Sequence, residues 1–382
     1  GTGTGAIVTG GTNLSKVGLG TLELGGTASN NYGGTTYVNA GTLRLNKTAA
    51  INAFAGGLVI GDNDGGPAAD QVIYAAANQI VDGQNVTVVR SGRLDAAGMA
   101  DTINALSIVD GSFVTNGAGN YQSNGGLTMA GGSLATSGGA TFVLNTNMTY
   151  NSGAQALISG KLSLNNGDRT FTVNDGPQML DLRVDADITG GGTSGRFTKQ
   201  GAGAVLLAGD NKNLTGSSEV QTVSVPNTVT TFTLTFHGST TGNIAFGATA
   251  TDVQTALENL ASVGKGNVTV SAAGANPIVY TMTYVNNLGG FDIWQIAAAV
   301  TGGTGTITTA TPTGGVWAFA PLAGTVAIGS DTALGIGGVA ANNATLWAYG
   351  APRTIKWLHT NNATTYLGAR RDWGPVDGGG NP

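Results

Sequence analysis

The residues whose spacing could support catalysis sit in one acidic run. From Leu180 the chain reads Leu-Asp-Leu-Arg-Val-Asp-Ala-Asp187, which in an extended strand puts Asp181, Arg183, Asp185 and Asp187 on one face. Paired carboxylates on a rigid face can act as acid and base in glycoside cleavage, and a basic residue beside them can assist elimination from a polysaccharide. The competing reading is a solvated face on which Arg183 offsets its acidic neighbours. No aromatic residue accompanies the run to seat a sugar ring. The solvated face is therefore preferred, and the chain is read as a non-enzyme.

Gly61-Asp-Asn-Asp-Gly-Gly66 is the one segment with the look of a calcium loop, because closely spaced carboxylates with Gly let oxygen ligands converge. It lacks the later Glu of an EF-hand and any nonapeptide period, so Asp62 and Asp64 read first as corner residues, with Ca2+ as the alternative. Asn165-Asn-Gly-Asp168 and Asn174-Asp-Gly176 are turn signals. The two histidines, His237 and His359, lie far apart, and with no Cys there is no zinc-ligand spacing. No nucleophile motif marks a serine. Gly190-Gly-Gly-Thr-Ser-Gly195 lacks the Lys and following helix of a phosphate loop. No cofactor is expected. One cluster remains: Trp317, Phe319, Trp347, Tyr349, Trp357 and Trp373 concentrate aromatics toward the C-terminus. They suit either an interaction surface for a glycan or partner, or packing at an irregular joint, and the joint is preferred.

The elements that would carry these residues repeat. Gly-x-Leu-x-Leu or a close variant recurs as Gly20-Thr-Leu-Glu-Leu24, Gly41-Thr-Leu-Arg-Leu45, Gly56-Gly-Leu-Val-Ile60, Gly92-Arg-Leu-Asp-Ala96, Gly160-Lys-Leu-Ser-Leu164 and Gly203-Ala-Val-Leu-Leu207. Apolar residues two apart have the period of a half-buried strand. Leu22 and Leu43 lie 21 residues apart, a fair circuit for three short strands and three corners. Similar strands returning with similar flanks favour parallel stacking over hairpins. The predicted fold is mainly β: a parallel, right-handed β-helix or solenoid.

Residues 218–314 read differently. Long alternating strands, Val220–Val225 and Thr230–Phe236, precede the chain's one convincing helix near 251–262, where Val253, Ala256, Leu257 and Leu260 form one stripe. Thr251 and Gln254 suggest a capping box and Gly264 a stop. Further strands are expected around Val268, at Ile278–Tyr284 and at Phe291–Ala297. A small α+β module should own a core of Phe232, Phe236, Phe246, Tyr280, Phe291 and Trp294. The expected organisation is solenoid over 1–217, inserted module over 218–314, and solenoid again over 315–382. The solenoid phrase broken after Gly216 resumes at Leu322-Ala-Gly-Thr-Val-Ala-Ile328, so the module should leave and re-enter one coil at neighbouring points.

Composition agrees. Only 10% of the 382 residues are charged, 65 are Gly, and 41% are hydrophobic. Tight corners explain the Gly, and the apolar fraction argues against disorder. A net charge of −5 with scattered basic residues excludes a nucleic-acid partner. No run approaches the ~18 apolar residues of a membrane span. The start without Met and the Gly378-Gly-Gly-Asn-Pro382 end suggest a mature product or a segment of a longer protein.

Leu14-Ser-Lys-Val-Gly-Leu-Gly-Thr-Leu-Glu-Leu24 with Tyr32-Gly-Gly-Thr-Thr-Tyr-Val-Asn-Ala-Gly-Thr-Leu-Arg-Leu45 resembles the autotransporter-associated β-strand repeat, and Phe197-Thr-Lys-Gln-Gly-Ala-Gly-Ala-Val-Leu-Leu207 begins a second copy. That repeat occurs in autotransporter passenger regions and in very large surface proteins, notably of planctomycete-type bacteria, and Phe246–Glu258 with Gly266–Val270 is similar to modules repeated in giant bacterial surface proteins. The resemblance implies an extracellular, cell-surface location; the stacked repeats, low charge, absent Cys and missing catalytic constellation favour a non-enzymatic structural segment of a fibre, stalk or adhesin, and uncapped coil ends would let it self-associate into a longer rod. The resemblance offers no catalytic residues to carry over. The alternatives are a carbohydrate-binding adhesive passenger that contacts a cell-surface glycan, and, last, a polysaccharide lyase or glycoside hydrolase on a β-helix.

Overall fold

The computed structural model describes residues 10–190, 196–211, 214, 216–290, 292–334, 339–351, 353, 355, 358–361 and 369–370. Short strands with alternating burial dominate it. In Leu58–Ile60 the outer two residues are buried and Val59 between them is half-exposed. Each solenoid strand pairs in parallel with its counterpart in the next coil, so apolar face stacks on apolar face.

Two sheets run along the stack. One has twelve strands, from Thr21–Gly26 through Gly41–Lys47 and Asp70–Tyr74 to Ala344–Tyr349 and Ala369–Arg370. The other starts with Leu14–Lys16, Thr36–Val38 and Leu58–Ile60 and counts fifteen strands because it branches. Asp101–Val109 and Tyr121–Ala130 are long enough to cover two sides of the coil, and their register shifts between Ser123 and Gly126. Past that irregularity the sides separate. Phe142–Leu144, Lys161–Ser163 and Asp187–Thr189 continue one side, while Met148–Tyr150, Arg169–Val173 and Phe197–Gln200 continue another. Twelve strands at about 4.8 Å place the first and last rungs roughly 50 Å apart. The chain forms the mainly β, parallel solenoid expected from its repeats.

Apolar columns fill the interior. Leu43, Val72, Leu94, Phe113, Leu134, Ile158, Val184 and Leu207 stack in register and are fully buried. Corners are tight enough to dictate residue type. Gly41 (φ +65) and Gly324 (φ +69) occupy the same corner in the two repeat copies. A Cβ on Gly41 would lie 2.6 Å from the Leu19 carbonyl, and one on Gly324 would collide with the Lys199 ammonium. Only glycine combines that backbone with that proximity.

Between Gly216 and Trp317 the chain leaves the solenoid. Ser217 and Val316 exchange both backbone hydrogen bonds at 3.0 Å, so the segment departs and returns side by side. The register gives the length of the interruption. Leu14 pairs with Thr36 and Leu22 with Leu43, separations of 22 and 21 residues. In the second copy Phe197 pairs with Phe319 and Val205 with Val326, separations of 122 and 121. Each exceeds its counterpart by 100, the length of the segment from Ser217 to Val316 inclusive.

The described residues of that segment build two antiparallel sheets, one α-helix and a short 3-10 turn at Asn286–Leu288. Val268–Ala273, Ile278–Tyr284, Val220–Val225 and Thr308–Thr313 lie side by side in one sheet. Val229–Phe236 centres the other, pairing with Ser239–Thr240, Ile244–Ala245 and Ala297–Gly303. Val223, Phe232, Phe236, Leu257, Tyr280, Met282 and Tyr284 form a core distinct from that of the solenoid. The helix runs Ala250–Glu258, and its capping box is made by Thr249 and Asp252. Thr251 and Gln254 do not cap it. Gln254 instead donates to Glu258 and accepts from the Val270 amide, because it sits on the flank facing the neighbouring strand. The strand expected at Phe291–Ala297 is irregular over 292–296, and pairing begins at Ala297. Phe246 is only partly buried, Trp294 is 43% exposed, and Phe291 lies outside the described residues.

Candidate functional site

The acidic run does not form a shared face. Leu182–Val184 belongs to the twelve-stranded sheet, whereas Asp187–Thr189 belongs to the next side of the coil, beyond a corner at Asp185 and Ala186. Asp181 is fully buried, contrary to the extended-strand expectation, because it precedes the strand at a corner. Its two oxygens accept from the Gly176 and Ala204 amides at 2.9 and 2.8 Å. Asp185 receives Arg183 Nε on both oxygens at 2.8 and 2.9 Å, and Asp187 accepts the Asp210 amide at 2.8 Å. Each of these carboxylates has a structural partner.

Asp62 and Asp64 make an ordinary corner. Asp62 Oδ1 accepts the Asp64 amide and Asp64 Oδ1 the Gly65 amide, both at 2.9 Å. Among the described residues no group of three or more His, Cys, Asp or Glu is placed to hold a metal. The side chain of His359 lies outside the described residues, as do the remainder of the Gly190–Gly195 run and both Trp357 and Trp373.

Buried polar groups tie one coil to the next. Lys16 Nζ donates to the carbonyls of Val17, Gly18 and Ala40 at 3.1, 2.5 and 2.7 Å. Lys199 Nζ donates to Gly201, Gly203 and Ala323 at 2.6, 2.5 and 2.8 Å. The two lysines hold equivalent positions in the repeat copies, and each bridges its own corner to the following coil. Burial pulls the Lys199 ammonium down to about 8, with Asp181 opposing the shift. On the third side, Asp101 Oδ2 accepts the Gln79 and Ile80 amides at 3.0 Å, and Gln79 holds the Lys47 backbone. Asn211 spans the interruption, accepting from Ile188 in the coil before the insert and donating to Ala333 in the coil after it. These groups satisfy corner carbonyls and amides that burial would otherwise leave without partners. The repeated Lys was visible in the sequence as Leu14-Ser-Lys16 and Phe197-Thr-Lys199, but nothing in one copy alone distinguishes a caged lysine from a surface one.

The aromatic candidates divide among three environments. Trp317 packs partly buried against the insert's core, while Phe319, two residues on, is fully buried in the solenoid and stacks on Phe197. Phe319 is therefore a core residue and no part of an exposed surface. Trp347 lies outside the coil in an apolar cluster with Leu180, Leu206 and Ala327, and stays 9% exposed. Tyr349 is 39% exposed, with its ring 6.4 Å from that of Trp347.

A different aromatic is the more exposed. Trp294 stands on the irregular stretch 292–296 and stacks on His237 with centroids 3.9 Å apart and 24° between the planes. Two buried side chains hold this stretch. Glu219 Oε2 accepts the Ile293 amide at 2.9 Å, Gln221 Oε1 accepts the Ile296 amide at 2.7 Å, and Gln221 Nε2 donates to the Trp294 carbonyl at 2.9 Å. Burial, with the nearby Asp292 carboxyl adding to it, pushes Glu219 above the usual carboxylate range. The sequence carried one sign of this: Gln221 alternates with Val223 and Val225 on the buried face of its strand.

No family model matches the chain. Comparison with curated proteins finds a likeness to a protein titled Adhesin BmaC autotransporter, from Brucella suis biovar 1 (strain 1330). The two are 35% identical over 121 residues, 31% of this chain. The match spans only 3% of the length of that relative.

Proposed function

We propose that the chain is a non-enzymatic structural segment of a bacterial surface adhesin, fibre or stalk, exposed outside the cell. The observation that carries this reading is the unbroken register of the twelve-stranded sheet, which passes from Ala204–Leu207 to Gly324–Ile328 across the insert without losing a rung. Such a stack is a stiff spacer, since each coil contacts only its neighbours and bending must open many strand pairs together. The likeness to an autotransporter adhesin supports the surface location. The structural partners of Asp181, Asp185 and Asp187 favour the non-enzymatic reading over polysaccharide cleavage.

Further copies or further coils joined end to end would extend the rod by the same strand pairing that builds it. Negative-stain microscopy of the purified chain tests the reading. Elongated particles about 50 Å or more in length, with a protrusion to one side, are expected. Compact globules of equal axes would overturn it.

A further inference from the structure

The stretch 292–296 is built in a way that a plain connection does not require. A loop joining two strands ordinarily runs over the surface with solvated backbone. Here the chain keeps a Glu that is 2% exposed and a Gln that is fully buried to bind three backbone groups of five residues. Burying such groups is unfavourable unless their bonds are well made, and here they fix one segment rigidly.

What the segment presents is an indole. The aromatic rings within the insert's two sheets, Phe232, Phe236, Tyr280 and Tyr284, are fully buried, whereas Trp294, outside the strands, is 43% exposed. A second device holds the ring itself. His237 and Gly238 take positive φ of 45° and 78°, as the two central residues of a tight turn between Val229–Phe236 and Ser239–Thr240. Asn or Asp is the usual first residue of such a turn. His in its place accepts the left-handed backbone and lays its ring on Trp294.

From this geometry we infer that Trp294 and His237 form a docking platform for a neutral carbohydrate. The face of an aromatic ring carries partial negative charge and attracts the slightly positive C–H bonds on one side of a pyranose. A side chain already locked by stacking loses little further freedom when the sugar arrives. Uncharged hydrogen-bonding groups lie beside it in Gln295 and Thr311, which bond to each other and are both exposed. The side chains of Trp294, Gln295 and Thr311 carry no charge, which suits a neutral rather than a charged polymer. The inference is independent of the rod: its failure would leave the microscopy result standing.

The test is saturation-transfer NMR and titration of the whole chain with cellotetraose, xylotetraose, mannotetraose and chitotetraose, with a hyaluronan tetrasaccharide as the anionic contrast. At least one neutral probe is expected to bind with Kd near or below ~1 mM. Trp294→Ala should weaken it by about tenfold or more, and Trp294→Phe by only about threefold. His237→Asn retains the turn and removes the stack, and should weaken binding by roughly two- to tenfold. Absence of binding by all four neutral probes at ~10 mM would overturn the inference, as would unchanged affinity in Trp294→Ala or selective binding of hyaluronan. Should Trp294→Ala lose its β-rich spectrum, unchanged affinity in His237→Asn overturns it alone.

Discussion

The rings of Phe197 and Phe319 stack with centroids 4.9 Å apart and 28° between their planes, although 122 positions separate them in the chain. Thr36 takes the corresponding place opposite Leu14 after only 22 positions. The stack closes the solenoid core across the point where the insert departs. The two coils flanking the insert are therefore direct neighbours.

The core should report that adjacency energetically. Phe319→Ala is expected to destabilise the solenoid by about 3–5 kcal/mol, and Phe197→Ala by a similar amount. In the double variant the losses should fall short of their sum by roughly 0.5–1.5 kcal/mol, since each ring is the other's neighbour. Urea unfolding followed by circular dichroism measures all three. Full additivity would argue against the contact.

Lys199→Met removes an ammonium while keeping much of the stem. It leaves the carbonyls of Gly201, Gly203 and Ala323 short of a donor at a buried corner. The expected loss is about 1–3 kcal/mol. Lys16→Met is expected to act in the same direction through Val17, Gly18 and Ala40. A denaturation midpoint equal to wild type in both variants would show that the cages contribute nothing.

Helix capping separates two nearby threonines. Thr249→Ala should lower the insert's stability by about 1 kcal/mol, because Thr249 and Asp252 satisfy each other's amides. Thr251→Ala, one turn position inside the helix, should change it by less than about 0.5 kcal/mol. Hydrogen exchange of the amides of Ala250–Glu258 distinguishes the two.

Acidity should act on the insert through Glu219. Burial, and to a lesser degree Asp292, raise this carboxyl in the folded state. An acid with a raised folded pKa stabilises most below its unfolded value, and that contribution is lost as pH rises through the folded value. Protection of the amides of Val229–Phe236 should therefore decline as pH climbs from the ordinary glutamate range toward neutrality. In Asp292→Asn the decline should be smaller and end at lower pH, because one cause of the raised folded value is gone. Protection that instead grows with pH would contradict the assignment.

The solenoid was legible because period-two burial and glycine corners are local signals repeated many times. Leu22 and Leu43 declare one coil by themselves. The acidic run failed as a single face because Asp181 and Asp187 flank a three-residue strand, and short strands bend at corners that a one-strand pattern does not reveal. The apolar stripe marks the helix, but it spans Ala250–Glu258 rather than 251–262, with Leu260 beyond its end, and its box lies two residues earlier, since Thr249, Thr251, Asp252 and Gln254 offer two overlapping cap patterns. Trp294 read as core because large aromatics usually are. Its exposure depends on Glu219 and Gln221, more than 70 residues earlier, and no local pattern carries that.

One coil of the continuous solenoid is interrupted by 100 residues, and their removal should leave it intact. Deleting Ser217–Val316 and joining Gly216 to Trp317 through a short Gly/Ser bridge tests it most directly, with far-ultraviolet circular dichroism during thermal unfolding as the measurement. The shortened chain should keep a β-rich spectrum and a single cooperative transition, because Ala204–Leu207 and Gly324–Ile328 still pair and Asn211 still reaches Ala333. Loss of the cooperative transition, or aggregation of the shortened chain, would contradict the account.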